Sequence, residues 1–197
     1  MNEQPGYDEL LKQYRDLQLR VTRFSATEQE LINTRDRLDH ELVLHQRLHR
    51  YNSDALQQTS DTTFFQIEAE AIVDVFEMEG SFIIYAPTDT SSPLIYREGL
   101  SIPPDLNSFL LETRSLAQKM AYEKNSLLKT TILNQWDFYS QFDQGLFSHF
   151  SEPDLGYEVF ILGLTSKTNS PLYSAPQERH DTLFGVFTQQ LQAMLAN

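Results

Sequence analysis

A stretch of about fifty residues near the N-terminus constrains this chain more than any other feature. Between Tyr7 and about Thr59 the sequence has neither proline nor glycine, and Leu, Gln, Arg, Glu and Asp dominate it. This composition predicts one long helix. At about 1.5 Å per residue, such a helix is roughly 75 Å long.

Apolar residues recur along this helix in alternating steps of four and three. The repeat predicts a coiled coil, because a period of about 3.5 residues keeps one seam facing a partner helix. Glu28 and Arg35 occupy two positions of the seam, where they either set the register or mark where it is wet. We expect two copies of the chain to pair as a homodimer through the apolar seam residues, which are Leu10, Tyr14, Leu17, Val21, Phe24, Leu31, Leu38 and Leu42.

The repeat changes frame at its C-terminal end. The original frame continues to His45 and His49, whereas Leu44, Leu48 and Tyr51 continue the apolar stripe one position earlier. We interpret the change as a stutter, which alters supercoiling locally. The alternative is a long helix that folds back on its own domain as a hairpin.

From about Asp61 the sequence changes to short helical and strand-like segments. Its length allows one domain besides the helix, so we divide the chain into a coiled-coil helix, residues 1–60, and a mixed α and β domain, residues 61–197. The stretch Asn134 to Pro153 stays open between helix, strand and lid. The predicted elements are a helix from Asp61 that ends at Gly80, strands Ser81 to Tyr85 and Pro93 to Arg97, a helix Asp105 to Lys124, strands Leu127 to Leu133 and Tyr157 to Thr165, and a helix Gln177 to Asn197, with loops at Pro87 to Pro93 and Lys167 to Pro176.

Charge and composition exclude several classes of protein. The chain carries a formal net charge of −13, which opposes binding to nucleic acids and to anionic membranes. It contains no cysteine, which excludes disulfides, thiol nucleophiles and zinc sites of the cysteine type. It shows no signal peptide and no apolar run of membrane-spanning length. We therefore expect a cytoplasmic protein with neither a nucleic-acid nor a membrane partner.

No constellation of residues in the sequence predicts catalysis. A nucleophile elbow, a phosphate-binding loop and a positioned acid and base are all missing, so we expect no enzyme within these residues. His45 and His49 have a spacing that can hold a divalent metal, and His149 and His180 are candidate haem ligands. We expect all four to be ordinary surface or boundary residues. We assign no catalytic residue and no metal, and the cofactor stays unknown.

The order of helix, strand hairpin, helix, strands and closing helix resembles that of a GAF-type sensor domain over about residues 61–197. The resemblance implies an α+β fold, in which an antiparallel sheet is flanked by helices. The chain departs from some branches of the family, since it has no cysteine for a covalent bilin and no recognisable Asn-Lys-Phe-Asp-Glu pattern for a cyclic nucleotide. The segments that carry the resemblance are Phe65 to Phe76 with Gly80 to Tyr85, Ser115 to Met120 with Asn125 to Leu128, and Phe160 to Thr165 with Tyr173, Ser174, Leu183 and Phe184.

The resemblance also implies a function, namely a sensing and dimerisation module of a bacterial signalling protein. In sensor histidine kinases and diguanylate cyclases, such a module couples a small-molecule or conformational input to an effector kinase or cyclase. The alternative is a coiled-coil scaffold or adaptor that recruits a protein partner and whose aromatic residues fill a ligand-free core. In GAF-like domains the pocket lies between the sheet and the elements that cover one face, and the residues mapped to it here are Phe82, Ile84, Tyr96, Thr131, Trp136, Tyr139, Phe142 and Phe160.

Overall fold

The structure is a computed structural model that describes residues 6–58, 60–87, 92–123, 126–152, 156–166 and 178–195. Most of the predicted hairpin loop, residues 88–91, and the predicted loop Lys167 to Pro176 lie outside the described residues. The elements in chain order are α1 (Tyr7–Leu56), α2 (Asp61–Phe76), β1 (Gly80–Pro87), β2 (Leu94–Glu98), α3 (Leu106–Glu123), β3 (Leu127–Lys129), α4 (Thr130–Leu133), a 3-10 helix (Tyr139–Gln141), β4 (Phe142–Glu152), β5 (Tyr157–Ser166) and α5 (Glu178–Leu195).

The chain divides into two compact units, Met1–Val43 and Leu44–Asn197. The last turns of α1 belong to the second unit, because Leu44, Leu48 and Ala55 are at most 3% exposed there. The division into residues 1–60 and 61–197 stays a prediction based on sequence pattern.

The second unit is built on a five-stranded antiparallel sheet in the order β2-β1-β5-β4-β3. The prediction of an α+β fold with a long N-terminal helix and an antiparallel sheet is therefore confirmed at this coarse level. The open stretch after Asn134 contains the 3-10 helix and then β4, which pairs with β5 along nearly its whole length.

The predicted strand Leu127 to Leu133 is wrong in its second half. Only Leu127–Lys129 pairs with β4, and Thr130–Leu133 forms α4. The Thr130 hydroxyl donates to the main-chain carbonyl of Asp143 at 2.7 Å, and Ile132 and Leu133 are buried by the helical turn. The turn thus buries two consecutive apolar side chains on one side, which an alternating strand does not do.

The sheet separates two apolar cores. On one face, α2, α5 and residues 44–56 of α1 cover a core that includes Ile83. On the other face, α3 and α4 cover a core that includes the next residue, Ile84. Adjacent residues of β1 enter different cores because side chains alternate along a strand. This alternation decides which predicted pocket residues meet.

Two glycines give a matched test of the packing. A Cβ atom at Gly145 in β4 would lie 2.4 Å from the carbonyl oxygen of Gly163, whereas a Cβ at Gly185 in α5 would meet nothing within 4 Å. We expect Gly145→Ala to lower the free energy of unfolding by about 2 kcal/mol, because the two strands must move apart. Gly185→Ala should raise it by about 0.5–1 kcal/mol through helix propensity. Urea denaturation measures both, and a Gly145→Ala variant as stable as Gly185→Ala would contradict the strand contact.

Candidate functional site

The most extensive exposed apolar feature of the first unit is the predicted seam of α1, defined above by its residues from Leu10 to Leu42. Single exposed apolar residues are normal, but a long row of them along one helix face marks an interaction site. The structure places every predicted seam residue at the surface. Each of the eight side chains is at least half exposed.

The frame change of the repeat coincides with a change in burial. Leu42 is 56% exposed, whereas Leu44 and Leu48 are each 3% exposed in the core of the second unit. His45 and His49, which continue the original frame, are exposed. The second stripe therefore belongs to the core of the C-terminal unit, and the seam is a separate surface.

Residues 44–56, the last turns of α1, contact α2 and α5. Arg47 and Arg50 each approach the Asp74 carboxylate at 3.8 Å, and the amide of Asn52 donates to the side chain of Gln190 in α5 at 2.5 Å. The ion pairs are half exposed and stabilise little, so burial of the leucine side chains holds this segment in place.

The structure brings together most of the predicted pocket residues. Phe82, Ile84, Tyr139, Phe142 and Phe160 are buried in the core beneath α3 and α4. Trp136 is half-buried and packs against the same core.

Two predicted pocket residues lie elsewhere. Tyr96 pairs with Ile83 in the sheet register and stacks on Phe65 at 4.8 Å, in the core on the opposite face. Thr131 is exposed on α4, because the predicted strand at this position is a helical turn. Neither side chain can share a pocket with Phe82.

Phe138, which the sequence interpretation did not include, lies at the centre of the assembled rings. Its ring centroid is 6.0 Å from that of Phe82, 4.6 Å from Phe109, 5.1 Å from Tyr139 and 5.6 Å from Phe142. These are ordinary packing distances between aromatic side chains. The rings fill the space between them with one another, which favours the ligand-free core over an open pocket.

The hydroxyl groups beside this aromatic cluster form hydrogen bonds within the protein. The Tyr139 hydroxyl lies 2.6 Å from Oγ1 of Thr113, and that oxygen donates to the main-chain carbonyl of Phe109 at 2.7 Å. The Tyr139 hydroxyl is therefore the donor in the shared bond. Burial raises the pKa of Tyr139, so the phenol stays protonated. No hydroxyl of this pair is left to orient a ligand.

A cleft of about 540 Å³ lies between α3, β4 and α5, and its polar lining includes Ser126, His149, Asp181 and Thr182. The His149 ring stacks on Phe160 at 4.7 Å, and its partial burial lowers the pKa of His149. The Asp181 carboxylate accepts a hydrogen bond from the main-chain N–H of Ser126 at 2.6 Å. This hydrogen bond therefore links the residue that precedes β3 to α5.

The candidate metal and haem ligands are dispersed. His45 and His49 lie on the exposed side of α1, and His180 is 1% exposed beside Phe76. Within the described ranges, no group of three or more His, Cys, Asp or Glu side chains is placed to hold a metal ion.

A buried carboxylate is the least expected polar group of the molecule. Glu68 in α2 is 1% exposed, and neither carboxylate oxygen has a hydrogen-bond partner in the part of the chain that the structure describes. Burial raises the pKa of Glu68 to about 7. The sequence indicates this burial. Glu68 follows Phe65 by three residues and precedes Ile72 by four, which places it on the apolar side of the helix.

A scan against protein-family models matches no part of the chain, and a search of curated proteins finds no significant match. Across the described segments, no helix has the length and apolar character needed to cross a membrane.

Proposed function

We propose that this chain is a dimerising regulatory module of a bacterial signalling protein, a GAF-type domain that couples an input to an effector kinase or cyclase. The exposed seam of α1 carries the proposal. Eight large apolar side chains, each at least half exposed, follow one helix face at the spacing of a coiled coil. In water this surface gains free energy by pairing with another helix.

The GAF-type assignment is supported by the order of elements in the second unit. A helix, a strand hairpin, a helix, further strands and a closing helix follow one another as the resemblance implies. The net charge of −13 is consistent with a cytoplasmic protein that binds neither nucleic acid nor membrane.

The packing of the second unit favours a conformational input over a small-molecule one. The rings around Phe138 contact each other, and Tyr139 is fully buried. A ligand at this position would have to displace packed side chains. We therefore propose that the input is a change in the position or packing of the domain's helices, and not a bound small molecule.

Light scattering on the purified chain tests the proposal. We expect a mass of about twice 22.9 kDa at micromolar concentration. Native mass spectrometry of protein from cells separates the alternatives. A homodimer, with or without a small molecule, supports the module, whereas a stoichiometric foreign subunit supports the scaffold. A monomer would remove the basis of the proposal.

A further inference from the structure

Two charged residues interrupt the seam of α1 at equivalent places in its repeat. Glu28 and Arg35 are one heptad apart and exposed, and Arg35 pairs within its own helix with Asp36 at 3.0 Å. In a parallel dimer in register, each seam residue meets its own copy. Glu28 would then face Glu28, and Arg35 would face Arg35. Two layers of the seam would hold like charges, which repel as water is excluded.

The positions beside the seam offer a parallel dimer no compensating attraction. In parallel coiled coils, position g of one helix meets position e of the next heptad on the other helix. Arg20 would meet Ser25, and Glu41 would meet Gln46. Neither combination is an ion pair, so a parallel dimer retains the repulsion of its seam.

An antiparallel alignment of the same frame places opposite charges side by side. In one such alignment Glu28 faces Leu31 of the second copy, and the contact then extends past Leu42 to the exposed His45 and His49. Arg35 of the second copy then lies opposite Phe24, four residues or about 6 Å along the axis from Glu28. The two Glu28 side chains are about 4.5 Å apart along the axis, and an arginine on each side offsets their repulsion.

The same alignment creates attractions outside the glutamates. Positions g of the two helices face each other in an antiparallel pair, which brings Arg20 within two residues, about 3 Å along the axis, of Glu41 of the second copy. Symmetry repeats this contact, so the dimer gains it twice. Arg35 also comes opposite Phe24 of the second copy, and a cation is attracted to the face of an aromatic ring.

We infer that two copies of this chain pair antiparallel through α1, with the centre of the contact between Gln29 and Glu30. The inference rests on the proposed function, which supplies the dimer, and adds its orientation and register. The two C-terminal units then follow from opposite ends of the paired helices.

Cross-linking tests the orientation directly, because the full chain has no cysteine of its own. In the inferred alignment, Val21 faces Leu38 of the second copy. Full-length Leu38→Cys should stay uncross-linked after mild oxidation. Mixed with a mass-tagged Val21→Cys chain and allowed to exchange, it should give a disulfide-linked heterodimer on a non-reducing gel.

The possible outcomes separate this inference from the proposed function. Self-linking of Leu38→Cys would overturn the antiparallel arrangement while leaving the dimer intact. Light scattering that finds a dimer, with no link in the mixture, would overturn the register. A monomeric wild-type chain would overturn the proposed function itself.

Charge exchange gives a second measurement that needs no oxidation. Arg20→Glu and Glu41→Arg, each alone, should raise the dimer dissociation constant on the order of tenfold, because each turns two attractions into repulsions. The double variant should return to within about twofold of the wild type. A double variant as weak as the product of the two single effects would overturn the inference, because the two side chains would then not meet.

Discussion

Leu38→Asp is expected to leave the chain monomeric at concentrations where the wild type is a dimer. Leu38 is 55% exposed in the single chain and becomes buried only when the seam is paired. The substitution removes one leucine contact from each copy and puts a carboxylate where water is excluded. Losing about 2 kcal/mol of burial from each copy raises the dissociation constant at least about 100-fold. Sedimentation equilibrium over a range of concentrations measures the change.

The neighbouring residue supplies the control. Arg37 is exposed on the outer side of the helix, at a position that does not flank the seam, and Arg37→Asp changes the charge by two, compared with one for Leu38→Asp. If net charge controlled association, the Arg37 variant would be the weaker dimer. We expect it to stay within about threefold of the wild type, as surface charges usually contribute little. Equal weakening by both substitutions would contradict the heptad frame. Circular dichroism confirms that both variants stay folded.

Glu68→Gln is expected to stabilise the second unit by about 3 kcal/mol at pH 8 and by less than about 1 kcal/mol at pH 5, close to the lower end of the titration. Burial raises the pKa of Glu68 from 4.5 to about 7, so the folded state binds more protons than the unfolded state between these values. The wild type therefore loses stability as the pH rises through this window, and the loss levels off above about 7. The pKa difference corresponds to about 3 kcal/mol. Glutamine keeps the shape of the protonated side chain without its titration.

Thermal unfolding at several pH values measures the effect. A gain of about 3 kcal/mol raises the melting temperature by roughly 6–12 °C for a unit of this size. Glu70→Gln removes the same charge from an exposed position of the same helix and should change the melting temperature by less than about 2 °C at either pH. A stabilisation by Glu68→Gln that is the same at pH 5 and pH 8 would contradict the buried, titrating carboxylate.

The sequence predicted best those elements whose periodicity is uninterrupted. The long helix was expected to about Thr59 and ends at Leu56, and the strand predicted from Tyr157 to Thr165 is observed at Tyr157–Ser166. Both have one dominant pattern over their whole length. The helix expected to end at Gly80 ends at Phe76 instead, because Glu77 adopts a positive φ of 54°. A glutamate does not indicate such a left-handed conformation in a sequence.

The elements that the sequence left open or placed wrongly depend on distant partners. Phe142 to Glu152 became a strand through pairing with β5, although Gly145 and several polar residues weaken its local pattern. The same dependence on strand pairing limits the prediction of which residues share a pocket. Tyr96 and Ile84 are both apolar strand residues, but only the register between β1 and β2 decides that they face opposite cores.

The sequence predicts the apolar seam of α1 but not the residue at which the seam ends. The apolar stripe from Leu10 to Leu42 and the stripe from Leu44 to Tyr51 differ by one position, and periodicity alone describes both equally well. Burial separates them, since Leu42 is exposed and Leu44 is 3% exposed. Where the apolar side chains of a helix change from one packing partner to another, the apolar stripe shifts in the sequence just as it does at a stutter in a coiled coil.

The unequal lengths of β3 and β4 leave the C-terminal part of β4 without a paired strand on that side among the described residues. β3 pairs with Gln144 to Leu146, and the hydrogen bond from Phe147 to Ser126 ends the ladder in the described part of the chain. Main-chain groups beyond that point are a template for a foreign strand, and such edges cause aggregation when uncharged. Glu152 at the end of the strand and the net charge of −13 oppose the approach of a second acidic copy. Like-charge repulsion thus discourages edge-to-edge pairing of two sheets, whereas the apolar seam of α1 still favours association through the helix.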